Sequence, residues 1–147
     1  MNRPGRKTDP NNESVVGKLV YKNFSMLFTG DMESPVETEL LMNEVDVSAK
    51  ILKAAHHGSR TSSTLDFVKS VAPRYVIISA GRENKFGHPD KIALENYIAA
   101  GVDPTNIFCT AFDGTITITT DGETYSVDSQ FRDDWLPGYL AATQTEG

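Results

Sequence analysis

Residues 14–29 carry two short runs of strand-forming residues. Ser14-Val15-Val16-Gly17-Lys18-Leu19-Val20-Tyr21 is rich in valine, Lys22-Asn23 makes a turn, and residues 24–29 form a second run, so the pair reads as a hairpin. The second strand runs into Gly30-Asp31. Pro35 suits the first turn of a short helix whose apolar side is Val36, Leu40 and Leu41. Residues 50–55 form a short strand that ends in His56-His57-Gly58-Ser59. Either Ser63 or Thr64 caps a helix over residues 65–71, which Pro73 stops. Residues 74–79 are an apolar strand and residues 81–89 a polar loop. Asp90 caps a helix over residues 91–100, with Leu94, Tyr97 and Ile98 on one face and Gly101 at its end. Residues 107–110, 115–120 and 124–127 then read as strands, with turns at Asp113-Gly114 and Asp121-Gly122. Strands alternate with helices and close in a β-meander, which predicts a mixed α/β fold. Residues 1–12 read as a flexible lead-in, residues 13–128 as one domain and residues 129–147 as a polar tail. Within that tail the Trp135-Leu136-Pro137 segment docks either on the core or on a partner.

Composition narrows the class without naming a function. The 147 residues fit one domain, and 39% hydrophobic with 23% charged residues is an ordinary globular balance. No apolar run approaches the roughly 18 residues of a membrane helix. No apolar stretch follows the first residues, so no secretory signal is read and the expected compartment is the cytoplasm by default. The single cysteine, Cys109, excludes an internal disulfide framework and a thiolate zinc cluster.

Charge is unevenly spread. The net charge is −6, yet residues 50–91 hold Lys50, Lys53, Arg60, Lys69, Arg74, Arg82, Lys85 and Lys91 against only Asp66, Glu83 and Asp90. His56, His57 and His88 lie in this same basic stretch. The overall acidity disfavours non-specific nucleic-acid binding, while a basic zone around histidines suits an anionic substrate. A solvated basic face is the alternative.

Three short motifs stand at element ends. Phe28-Thr29-Gly30-Asp31 places a carboxylate at a strand end, where it can reach a metal ion from a rigid support. His56-His57-Gly58-Ser59 offers imidazole, a good ligand for zinc, manganese or iron. Neighbouring histidines on an extended strand point to opposite faces, so one of the two aims with the strand's neighbours. Gly87-His88-Pro89 puts a third histidine in a loop, able to ligate metal, donate a proton or bind a phosphoryl oxygen. Taken singly, each motif also fits a turn or a helix start. Their order is more specific, because ligands collect at the C-terminal edges of strands.

In this order the motifs resemble the C-terminal half of metallo-β-lactamase-fold hydrolases, closest to the soluble domain of the DNA-uptake competence protein ComEC and its stand-alone relatives. The resemblance spans residues 11–127 and rests on four stretches. They are Asn11-Asn12-Glu13-Ser14-Val15-Val16, Leu27-Phe28-Thr29-Gly30-Asp31, Ile51-Leu52-Lys53-Ala54-Ala55-His56-His57-Gly58-Ser59 and Gly87-His88-Pro89. Asp113-Gly114 before a strand also fits. The resemblance implies the C-terminal half of a four-layer αββα sandwich, with residues 13–128 as a partial domain. It also implies a site for two zinc or manganese ions. Asp31 would bridge the metals, and a histidine of the His-His pair would ligate, His57 rather than His56. His56 would then serve proton transfer or support a ligand, and His88 would stand beside the scissile phosphate or leaving group. Lys53, Ser59 and Arg82 would contact substrate or support the ligands. The implied reaction is hydrolysis of a phosphodiester such as nucleic acid, by water activated between two cations.

The chain departs from that pattern in one respect. The upstream His-x-His-x-Asp-His motif is absent, and no histidine precedes His56. Half of the metal ligands and one covering sheet are therefore expected from elsewhere: a longer reading frame, a partner chain or a second copy. A non-catalytic α/β interaction module derived from the same fold is the alternative. Either way the isolated chain is expected to hydrolyse weakly or not at all.

Overall fold

The computed structural model describes residues 9–131 and 134–143. Residues 1–8 of the expected lead-in, and residues 132–133 and 144–147 of the expected tail, lie outside the described residues.

The N-terminal hairpin forms as the pattern predicts. β1 (Gly17–Tyr21) pairs antiparallel with β2 (Phe24–Phe28), and Lys22 takes a positive φ of 51° in the turn. α1 (Ser34–Met42) then leads to β3 (Ile51–Lys53), which pairs in parallel with β2. α2 (Leu65–Val71) leads to β4 (Tyr75–Ile78), and α3 (Lys91–Ala99) to β5 (Ile107–Cys109), each new strand parallel to the last. The sheet order β1-β2-β3-β4-β5 follows the sequence. Successive right-handed crossovers in such an order place α1, α2 and α3 on one face.

β5 corrects the expected meander. Its three residues are all buried, the mark of an interior parallel strand, and it lies beside β4. A short helix, α4 (Thr110–Asp113), separates it from a detached hairpin of β6 (Ile116–Thr120) and β7 (Tyr125–Ser129). That hairpin covers the other face of the sheet.

Two cores result. Leu27, Leu52, Val76, Ile78 and Cys109 point towards the helices and pack with Phe67, Val68, Leu94 and Tyr97. Phe24, Met26, Ile51, Ile77 and Phe108 point the other way, against Ile116, Ile118, Tyr125 and Val127 of the hairpin. The hairpin does not reach across the whole face. By register Leu19, Tyr21 and Phe28 share the Met26 side, and they remain 51%, 47% and 44% exposed.

The C-terminal segment takes the core alternative. α5 (Trp135–Thr143) buries Trp135 and Leu136 in the helical core. Trp135 stacks on Phe112 at 4.7 Å and donates its indole N–H to the buried Asp113 Oδ2 at 3.2 Å. Among the described residues no helix is long and apolar enough to cross a membrane.

Candidate functional site

The loops that follow β2, β3 and β4 meet at one edge of the sheet, and each is fastened to its neighbour. Thr29, fully buried, donates its hydroxyl to the carbonyl of Lys53 at 2.6 Å, tying the end of β2 to the end of β3. Gly30 has φ +54°, and a Cβ there would lie 2.8 Å from Ser14 Cβ, so only glycine fits. The Asp31 amide donates to Ser14 Oγ at 3.0 Å, and the His56 amide to the Gly30 carbonyl at 2.9 Å. Asp31 is thus aimed by backbone contacts, and its half-exposed carboxylate remains available.

The histidine pair does not continue the extended alternation. His56 and His57 both adopt left-handed backbone, with φ of 49° and 56°. Both side chains therefore reach the same edge, separated by 6.4 Å between ring centroids. His57 Nδ1 lies 2.7 Å from the Ser79 carbonyl, the residue after β4. A carbonyl only accepts, so Nδ1 carries the proton and, in neutral imidazole, Nε2 carries the lone pair. That Nε2 stands 3.4 Å from Asp31 Oδ1. Two acceptors then face each other at a half-exposed edge, an arrangement that a cation or a proton between them stabilises.

His56 is held differently. Its Nδ1 lies 3.2 Å from Glu33 Oε1, which also accepts the Thr61 hydroxyl at 3.1 Å. Its ring meets His88 edge-on at 5.6 Å, and His88 stacks on Phe86 at 5.7 Å. Burial, followed by the neighbouring His56 and His57, holds the His88 imidazole below its usual pKa. The loop carrying His88 is braced by Asn84, whose amide accepts from the His88 N–H at 2.9 Å and donates to the His88 and Gly81 carbonyls. Gly58 packs under Pro89, and the Asp90 amide donates to the Gly58 carbonyl at 2.8 Å.

The three expected substrate contacts are dispersed. Lys53 is partly buried at the site edge, donates to the Ala54 carbonyl at 3.3 Å and feels the Asp31 charge; burial outweighs that charge and lowers its pKa. Ser59 is 5% exposed, and its hydroxyl serves Thr61 inside its own loop. Arg82 donates Nε–H to the Ala111 carbonyl at 2.6 Å, which ties the loop after β4 to α4. The structure thus gathers Asp31, His56, His57 and His88, with Lys53 beside them, and gives Ser59 and Arg82 bracing bonds.

Sequence reasoning missed Glu33, Asn84 and Ser79. Glu33 carries no motif of its own, and Ser79 contributes only a backbone carbonyl. Asn12, from the first of the resembling stretches, braces Glu33: its side chain accepts the Glu33 amide at 3.0 Å.

The donor set fits part of a metal site. Asp31 Oδ1 and His57 Nε2 are the right atoms at a shared edge, and the His57 Nδ1–H bond to a carbonyl is the usual support of a ligating histidine. Among the described residues no group of three or more histidine, cysteine or acidic side chains is arranged to hold an ion.

Comparison with known proteins adds a further line. The chain is 35% identical over 85 residues to ComE operon protein 3 of Bacillus subtilis (strain 168), covering 58% of this chain and 11% of that protein. It is similar to a competence protein. The match to Competence protein ComA of Neisseria gonorrhoeae is 32% over 96 residues, 65% of this chain and 14% of that protein. Uncharacterized protein YcaI of Escherichia coli (strain K12) is 35% identical over 98 residues, 66% of this chain and 13% of that protein. The chain therefore spans between a ninth and a seventh of these relatives' length. No family model and no solved structure matches it.

Proposed function

We propose that this chain carries part of the active centre of a metal-dependent phosphodiester hydrolase of the metallo-β-lactamase type, acting on nucleic acid. The observation that carries the reading is the 3.4 Å approach of His57 Nε2 to Asp31 Oδ1, with the other ring nitrogen of His57 held by the Ser79 carbonyl. The layers support it: a helical layer, a five-strand sheet and a two-strand hairpin are what a half of an αββα sandwich would contribute. Similarity to Competence protein ComA of Neisseria gonorrhoeae is compatible with a nucleic-acid substrate.

In this reading Asp31 and His57 hold zinc or manganese, and the remaining ligands come from protein outside these residues. When bound, such ions neutralise phosphate charge and lower the pKa of water. The Ser79 carbonyl keeps His57 in the tautomer that presents Nε2. His88, kept neutral by burial, accepts a proton or donates a hydrogen bond to a phosphoryl oxygen from its imidazole. His56, oriented by Glu33, lies beside it as a proton partner. Lys53 adds positive charge next to Asp31.

Hydrolysis of bis(p-nitrophenyl) phosphate with added manganese tests the reading. Slow, metal-dependent turnover lost in both Asp31→Ala and His57→Ala is expected; turnover that survives either substitution assigns the chemistry elsewhere. A second reading, a non-catalytic interaction module on the same fold, is favoured by the donor count among the described residues. It predicts no retained metal, which separates it from a half-site that still binds metal.

A further inference from the structure

The opposite end of the sheet holds an open cleft of about 430 Å³, lined by Ser25, Lys50, Arg74 and Tyr125 together with the apolar Val71 and Ala72, among others. Lys50 immediately precedes β3 and Arg74 immediately precedes β4. The Arg74 amide donates to the Lys50 carbonyl at 2.8 Å, one step before the Ile51–Tyr75 pair, so the two cations stand on adjacent strands. Like charges opposite each other on a sheet are destabilising. Neither cation has an acidic partner among the described residues. The acid nearest in sequence, Asp46, is taken by Lys18 at 3.0 Å and by Ser48. Two uncompensated, exposed cations held side by side call for an anion.

The rest of the cleft adds an aromatic wall. Tyr125 lines it, with Lys50 Nζ 5.9 Å from the ring centroid, and the ring is fixed from behind by Phe24 and Tyr75. The Tyr125 hydroxyl makes no hydrogen bond to any described residue; burial raises its pKa, and the Arg74 charge opposes that rise. Ser25 Oγ accepts the Lys50 amide at 3.1 Å, which leaves its O–H to donate. Paired cations beside a ring are the chemistry that takes a phosphate together with a base face.

We propose that Lys50, Arg74 and Tyr125 form a nucleotide-binding subsite, with phosphate on the two cations and a base against the ring. It lies at the end of β2 and β3 away from Asp31 and His57, with the length of β3, about 10 Å, between them. The subsite stands on its own residues and does not require the hydrolytic reading. A strand of nucleic acid and a free nucleotide both supply this chemistry.

Fluorescence anisotropy with a short fluorescein-labelled oligothymidylate, at low and moderate salt, tests it. Lys50→Ala/Arg74→Ala is expected to weaken binding roughly tenfold at low salt and to reduce the log–log salt slope by about 1.4, as two lost phosphate contacts require. Arg60→Ala/Lys91→Ala, which removes two cations already paired with acids, is the charge-matched control. Competition by thymidine monophosphate that the Lys50/Arg74 variant lacks assigns a free nucleotide as sufficient, and binding of the oligomer alone assigns a strand. The proposal is overturned if the parent chain does not bind, if the control variant loses as much as Lys50→Ala/Arg74→Ala, or if inorganic phosphate competes as well as the nucleotide.

Discussion

The hydroxyl of Tyr139 donates to the carbonyl of Pro89 at 2.6 Å, so the C-terminal helix is bonded to the loop that carries His88. The ring of Tyr139 is separately packed against Phe112 and Trp135. Tyr139→Phe therefore removes the bond and keeps the packing. It is expected to cost about 1 kcal/mol in urea unfolding and to speed amide exchange around His88. A loss of stability with unchanged exchange there would mean that the bond serves the helix and not the loop.

Gly58 sets how closely the two histidine loops approach. At φ +80° it lies in the left-handed region, and an added Cβ would sit 2.9 Å from Pro89 Cβ and 3.1 Å from Pro89 Cα. The neighbour is a ring joined to backbone, so it cannot move aside alone. Gly58→Ala is expected to destabilise by more than about 1 kcal/mol and to shift the NMR signals of His88 along with those of His57. Unchanged His88 signals would contradict this coupling.

Glu37 is fully buried on α1 and accepts the amides of Ser63 at 2.6 Å and Thr64 at 2.9 Å. It thereby holds the turn that enters α2 from another helix. Burial outweighs these hydrogen bonds and raises its pKa above the ordinary 4.5. A carboxyl that binds its proton more tightly when folded stabilises most at low pH, and that contribution falls as pH rises from about 4.5 through the folded-state value. Urea unfolding across this window is expected to show that fall in the parent chain and to lack it in Glu37→Gln. Glu37→Ala, which leaves two amides without an acceptor, is expected to lose about 2–4 kcal/mol. Identical pH dependence in parent and Glu37→Gln would contradict the assignment.

The same residue shows where sequence reading reaches its limit. The alternation of β1 and β2, the helix after Asp90 and the run of α2 were legible, because local propensity and tertiary burial agree there. The cap of α2 was sought in Ser63 or Thr64, the residues at hand. Thr64 stands at the cap position without a side-chain bond, and Glu37 supplies the acceptor across the fold. β5 read as meander because three apolar residues carry no record of which neighbour they join. At the site the motif residues were legible as candidates, while their aim was not. Left-handed backbone at His56 and His57 cannot be read from residues that seldom adopt it, nor can the Ser79 carbonyl that fixes the His57 tautomer.

Zinc titration followed by 15N NMR of the histidine side chains bears most directly on the metal reading. The facing of His57 Nε2 and Asp31 Oδ1 predicts that the Nε2 resonance of His57 moves as zinc is added while Nδ1 stays protonated. It also predicts that Asp31→Ala loses this response. A His57 resonance indifferent to zinc, or a response that persists undiminished in Asp31→Ala, would contradict it.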